Sequence, residues 1–181
     1  KETSYKAYAI NAIPWVIGAE DWEADVEGSI FEKTFTAKFL HSHITDQDSY
    51  EMFLQFCGLC MTTDMTPQKF LIIHGAPGAG KSVFLNFFER ILGQQNYSAV
   101  DLTDLANNRF ALASLAGKIA NICGALKAET IEDAGVLKRL TGQDVVMLEK
   151  KYADAVEFRS KAKCLFSCND LPRCYTEKTD G

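Results

Sequence analysis

An α/β fold, with a parallel sheet covered by helices on both faces, is what this sequence predicts, and three observations carry it. Short continuous apolar runs, the first being Phe70-Leu71-Ile72-Ile73, alternate with amphipathic helical stretches up to Cys168. Such alternation builds a sheet whose strands are buried on both sides. A Gly-rich turn, Gly75 to Gly80, joins the first of those runs to a helical one. The composition is 47% hydrophobic, 24% charged and 11% aromatic over 181 residues, which suits one folded core with a small accessory unit and excludes a disordered chain.

Taken in order, residues 1–30 carry weak signals. Ile13-Pro14-Trp15-Val16-Ile17 is a short apolar run broken by Pro, Glu20 to Glu27 is acidic and solvated, and no function is assigned to either. From Asp48, the residues Met52, Phe53, Phe56, Leu59 and Cys60 recur at helical spacing behind an Asp N-cap, which predicts an amphipathic helix. Thr66-Pro67 then breaks the chain before the buried strand Phe70 to Ile73. Lys81 to Leu92 reads as a helix stopped by Gly93, Ser98 to Leu102 as a strand, and Thr103 to Leu115 as a helix. Lys118 to Cys123 makes a third strand, Ile131 to Leu140 a helix, Val145 to Phe158 a β-hairpin, and Ala162 to Cys168 a strongly apolar strand.

Charge and cysteine usage narrow the class further. The net charge is −5, yet residues 1–60 hold 10 acids and 4 bases while residues 61–181 hold 14 acids and 15 bases. Lys138, Arg139, Lys150, Lys151, Arg159, Lys161 and Lys163 crowd one interval, so a local polyanion site is compatible with the acidic whole. The six cysteines (Cys57, Cys60, Cys123, Cys164, Cys168 and Cys174) sit mostly in apolar stretches, as buried reduced thiols do. Cys57-Gly58-Leu59-Cys60 is better explained as core packing than as zinc ligation, for no second ligand pair has a compatible spacing. The polar start, Lys1-Glu2-Thr3-Ser4, lacks signal-peptide character, and no apolar run nears the roughly 18–20 residues that cross a bilayer. A cytosolic chain without a membrane partner is expected. Because it neither starts with Met nor closes on a terminating pattern, it reads as a piece of something longer.

The sharpest motif is Gly75-Ala76-Pro77-Gly78-Ala79-Gly80-Lys81-Ser82, which fits G-x-x-x-x-G-K-[ST] between a predicted strand and a predicted helix. Glycines let the backbone wrap a phosphate closely, and the helix starting near Lys81 aims its free N–H groups and positive dipole end at the anion. Lys81 would reach the β and γ phosphates, and the Ser82 hydroxyl would bind Mg²⁺. ATP with Mg²⁺ is the expected ligand pair. The loop alone does not say what the phosphate energy does.

Further motifs follow in order: Leu140-Thr141-Gly142-Gln143-Asp144, Glu149-Lys150-Lys151-Tyr152, Phe158, Ala162-Lys163, and Phe166-Ser167-Cys168-Asn169-Asp170-Leu171-Pro172-Arg173. Their order and spacing behind the phosphate loop resemble the superfamily 3 helicase domain of phage and plasmid primases. The lead-in from Phe39-Leu40 through Gly58-Leu59-Cys60 resembles the helical collar that precedes the loop in that family. The resemblance covers roughly residues 35–175 and implies an AAA+ type parallel sheet flanked by helices and preceded by a small collar. It divides the chain into 1–62, an N-terminal segment and collar, and 63–181, a P-loop ATPase domain that is incomplete at its C-terminal end.

By the same resemblance the chain is a ring-forming ATPase, usually hexameric, that moves on single-stranded DNA and is often joined to a primase-polymerase. Asn169 takes the sensor position that holds the attacking water or γ-phosphate, a role its donor-and-acceptor amide suits. Lys150 and Lys151 fall at the tip of a pore hairpin, where cations hold a DNA backbone without reading sequence, and Tyr152 could add base stacking.

One position departs from the pattern. The strand after Gly117-Lys118 should end on a carboxylate that fixes Mg²⁺ through water, but the chain reads Ile119-Ala120-Asn121-Ile122-Cys123-Gly124-Ala125-Leu126. Ala125 stands where an Asp is expected. Glu129 is a substitute carboxylate, whereas Glu132 and Asp133 suit the start of the next helix. An engineered hydrolysis-dead variant, a naturally degenerate subunit and a substitute carboxylate all fit. Arg173 is a weak candidate for the arginine finger, which in the family lies further on. A hydrolysis-deficient assembly or DNA-binding scaffold is the rival reading, and a small-molecule kinase is a weaker one, since no Arg-rich lid follows the loop.

Overall fold

Two helices of this chain start on an aspartate cap. The computed structural model describes residues 35–124, 126, 135–149 and 154–172. Helix α1 (Phe35–His43) leads into α2 (Gln47–Cys60), whose N-cap is Asp46; its carboxylate accepts a 2.9 Å hydrogen bond from the Ser49 N–H. Phe53, Phe56 and Cys60 face the core as the spacing predicts, Leu59 is half-buried, and Met52 is left 52% exposed.

Five elements alternate along the next stretch: β1 (Leu71–His74), α3 (Lys81–Leu92, closed by Gly93), β2 (Tyr97–Ser98), α4 (Leu102–Asn107) and β3 (Ala120–Gly124). They are followed by α5 (Gly135–Thr141), the antiparallel pair β4 (Val146–Leu148) and β5 (Val156–Phe158), and β6 (Lys163–Cys168). Among these, β1, β6, β3 and β2 form one sheet in that order, and every pair in it is parallel. The expected parallel sheet flanked by helices is therefore present.

Burial follows the sheet order. All six residues of β6, the strand between β1 and β3, are buried, whereas β1 at the sheet edge is only half-buried and ends on an exposed His74. The apolar run from Phe70 is thus a strand of the sheet without being a buried one, and Phe70 itself is 41% exposed. Side chains of β6 alternate between two cores, as the period of two requires. Leu165 joins the face packed by α1, α2 and α3 (Leu40, Phe53, Phe84, Phe88); Cys164, Phe166 and Cys168 join the face packed by α4 and α5 (Leu102, Leu105, Val136, Leu140). Cys57 and Cys60 lie in the first core, and burial alone pushes the Cys57 thiol up to about 12.

Two predicted elements differ, each for a local reason. The strand expected over Ser98 to Leu102 stops at Ser98, because the buried Asn121 side chain takes over the pairing. Its amide NH₂ donates to Val100 O, and its carbonyl accepts from Val100 N–H and Ser98 Oγ, all at 2.9 Å. Asp101 then caps α4 by accepting from Thr103 N–H at 2.7 Å, which draws Leu102 into the helix. The helix expected over Thr103 to Leu115 ends at Asn107. Asn108 is extended, its side chain accepts from Phe110 N–H at 3.0 Å, and a 3₁₀ turn (Ala111–Leu115) follows instead.

Lys163, at the start of β6, is 1% exposed, and its ammonium donates to the Thr62 carbonyl just past α2. Burial holds its pKa below the ordinary lysine value of 10.5. In the window between the lowered value and 10.5 the unfolded chain binds more protons than the folded one, so this group makes stability rise with pH there. Lys163→Met should remove that rise. Urea midpoints of wild type and variant should differ more at pH 7 than at pH 10.5, and parallel curves would refute the assignment.

Candidate nucleotide-binding site

The site forms where the sheet's strands end. β1 runs into the loop Gly75–Gly80, and α3 starts immediately after it. Two residues of that loop sit in left-handed backbone, Gly78 at φ 80° and Gly80 at φ 77°, where any side chain is strained. Gly80 is also crowded, since a Cβ there would come within 3.2 Å of the His43 ring and 3.4 Å of Phe39. As the N-cap it contributes no side-chain hydrogen bond; its carbonyl accepts from the Val83 N–H at 2.8 Å, so the Lys81 and Ser82 N–H groups are the ones at the start of α3 that can meet an anion.

The Lys81 ammonium folds back over the loop and donates to the Gly75 carbonyl at 2.6 Å and the Ala76 carbonyl at 2.8 Å. Register brings β6 level with this loop: His74 pairs with Cys168, and the Gly75 N–H donates to Cys168 O at 3.3 Å. On the other side β6 is level with β3, with Gly124 paired to Ser167 and the Leu126 N–H donating to Ser167 O at 2.7 Å.

These three strand ends wall a cavity of about 730 Å³. Its lining comes from Pro77 to Ser82, from Gly124 and Leu126, and from Ser167 to Asp170. Lys81, Ser82 and Asn169, widely separated in sequence, therefore share one cavity. Gly75 and Ala76 belong to the loop and do not line it. A second cavity of about 470 Å³ lies on the β1 side, between the α1–α2 turn and the loop, and shares Ala79 and Lys81 with the first.

Asp170, to which the motif containing Asn169 gave no role of its own, is the one carboxylate among the described residues lining the larger cavity. Its signal was available in the motif that contains Asn169, because the residue after Asn169 continues the same strand end. Cys168 registers both charges: burial raises its thiol pKa most, the Lys81 ammonium opposes that rise, and the Asp170 carboxylate adds to it. Ala125, Glu129, Glu132, Asp133, Lys150, Lys151, Tyr152, Arg173 and Cys174 lie outside the described residues. The base of the predicted hairpin is described: β4 and β5 pair from Val146–Phe158 to Leu148–Val156. Glu149, next after β4, pairs with the Arg109 guanidinium at 3.2 Å.

Among the described residues no helix is long and apolar enough to cross a bilayer. The chain is 24% identical over 141 residues to the Acanthamoeba polyphaga mimivirus protein named "Putative helicase L207/L206", a match spanning 74% of this chain and 15% of that protein. Among solved structures, an apo structure of the NrS-1 C-terminal region (A form) superposes with a TM-score of 0.62 at 16% identity, covering 80% of this chain and 34% of that one. Another apo structure of the same region, residues 305–718, gives 0.56 at 13% identity, over 79% and 36%. The chain thus spans only a minor part of the proteins it matches. A family model described as "Family of unknown function (DUF5906)" matches residues 73–180, from the end of β1 through the loop and both strand ends that wall the cavity. With more than half of its length matched, this chain belongs to the DUF5906 family.

Proposed function

We propose that the chain is the ATP-dependent motor domain of a superfamily 3 DNA helicase, part of the replication protein of a phage or plasmid. The observation that supports this reading is the sharing of one cavity by the phosphate loop and the end of β6, so that Lys81, Ser82 and Asn169 line one space. In this reading ATP lies along Gly75 to Gly80 with its phosphates at the start of α3, Lys81 neutralises β and γ oxygens, and the Ser82 hydroxyl holds Mg²⁺. The Asn169 amide orients the attacking water. The resemblance to a helicase-named viral protein supports a helicase-related role, at 24% identity.

The partners belong to the same proposal. Single-stranded DNA threads a homo-hexameric ring, Lys150 and Lys151 hold its phosphates, Tyr152 stacks on a base, and a primase-polymerase is fused or associated. The protein works in the host cytosol. ATP turnover should exceed that of a Lys81→Ala blank and rise with single-stranded DNA; turnover equal to the blank would refute the motor. Lys150→Ala with Lys151→Ala should weaken binding of single-stranded DNA and lower the slope of log affinity against log salt by roughly 1.4, while nucleotide affinity stays the same. An unchanged DNA affinity would sink the hairpin assignment.

A second reading, a nucleotide-gated scaffold that binds ATP without hydrolysing it, is favoured by one observation: Ala125 stands where the family resemblance calls for a carboxylate. Turnover that appears only in Ala125→Asp would select it.

A further inference from the structure

Hydrolysis at a phosphate loop uses a residue that orients or deprotonates the attacking water, and a carboxylate can do both. The strand expected to supply it ends without one: Gly124 and Leu126 line the cavity, and the residue between them in sequence is Ala. The adjacent strand ends differently. β6 runs level with β3 through the Gly124–Ser167 pair and level with β1 through His74–Cys168, and continues as Asn169-Asp170 along the cavity wall.

We propose that Asp170 is the catalytic base of this site, the carboxylate having moved one strand over, from the end of β3 to the end of β6. This rests on the reading of the cavity as an ATP site and goes beyond it by naming the group that makes hydrolysis possible despite Ala125. Three features carry the assignment. Asp170 is the one carboxylate among the described residues that line the cavity, which also holds Lys81 and Ser82. It adjoins Asn169, whose amide can hold the same water in line. It is exposed, so water reaches it without a path through the core.

The step balances without another reactant. The water oxygen forms a bond to the γ-phosphorus as the bond from that phosphorus to the bridging oxygen breaks. The electron pair leaves with ADP, and the proton of the water passes to the Asp170 carboxylate, later to be released to solvent. Lys81 stays protonated throughout and neutralises phosphate charge.

Single-turnover ATP hydrolysis and fluorescent-nucleotide binding, measured with the full chain over a range of pH and Mg²⁺, test the proposal in Asp170→Asn, Asp170→Glu, Glu129→Gln and Lys81→Ala. Asp170→Asn should lower the hydrolysis rate by about 10²- to 10⁴-fold and leave nucleotide affinity unchanged. Asp170→Glu should restore part of the rate.

Undiminished turnover in Asp170→Asn overturns the proposal while leaving the ATP-site reading standing. So does a collapse in Glu129→Gln alone. If Asp170→Asn merely raises the Mg²⁺ needed for an unchanged maximal rate, Asp170 is a metal-holding group and the base assignment fails. Wild-type turnover no higher than in Lys81→Ala overturns both this proposal and the motor reading, a pattern none of the other outcomes produces.

Discussion

Lys81→Ala is expected to weaken ATP binding by about 10- to 100-fold. One hydrogen-bonded charge contact to phosphate contributes roughly 1.5–3 kcal/mol, and 2.8 kcal/mol is about a 100-fold change in affinity. The anion-binding geometry of the loop would survive the change, because it rests on the backbone of Gly78 and Gly80 at positive φ and on the start of α3. Of the two carbonyls that Lys81 covers, that of Gly75 borders the second cavity and that of Ala76 belongs to an exposed residue, so water can replace the ammonium at both. Thermal stability of the unliganded protein should therefore barely move. Titration calorimetry with ATP, alongside a melting curve without it, checks both halves. An affinity equal to wild type would mean that the loop does not hold phosphate through Lys81.

The second large effect is on stability. Phe88 on α3 is fully buried in the core shared by α1, α2, α3 and the sheet, together with Phe84, Leu85 and Leu92. Phe88→Ala leaves a cavity among side chains already in contact, and should destabilise the chain by about 3–5 kcal/mol. For a domain of this size that corresponds to a fall in Tm of roughly 6–20 °C. Val83, on the same helix but 50% exposed, is the control: Val83→Ala should stay within about 0.5 kcal/mol of wild type. Denaturant unfolding of the two variants measures the difference directly. A Phe88→Ala loss no larger than that of Val83→Ala would place α3 off the core.

The contrast between the two predictions mirrors how each feature is written in the chain. Lys81 belongs to an eight-residue motif whose parts are neighbours in sequence, and α3 runs over the residues that the motif, the helical spacing and Gly93 predict, Lys81–Leu92. β6 was equally legible: the apolar run Ala162 to Cys168 became Lys163–Cys168. The antiparallel pairing of β4 and β5 follows from two short β-prone runs flanking a polar stretch.

What depended on distant residues was not legible. β2 is two residues long because Asn121, on a strand some twenty residues later, satisfies both backbone groups of Val100 with its side chain. A Lys in an apolar strand reads as a charge to be solvated, yet Lys163 is buried under the Thr62 carbonyl, 101 residues away.

By itself, then, the sequence determined the phosphate loop, the α3 helix behind it, the capped start of α2, and the α/β class, since each rests on contacts within a few residues and on periodicity. Only the tertiary structure decided that β6 lies between β1 and β3. That order cannot be read from local propensity, because it depends on which buried faces pack together once α-helices cover both sides of the sheet. It brings the chain after Cys168 level with the phosphate loop, and so turns Asp170 from a residue in a turn into the carboxylate of the cavity.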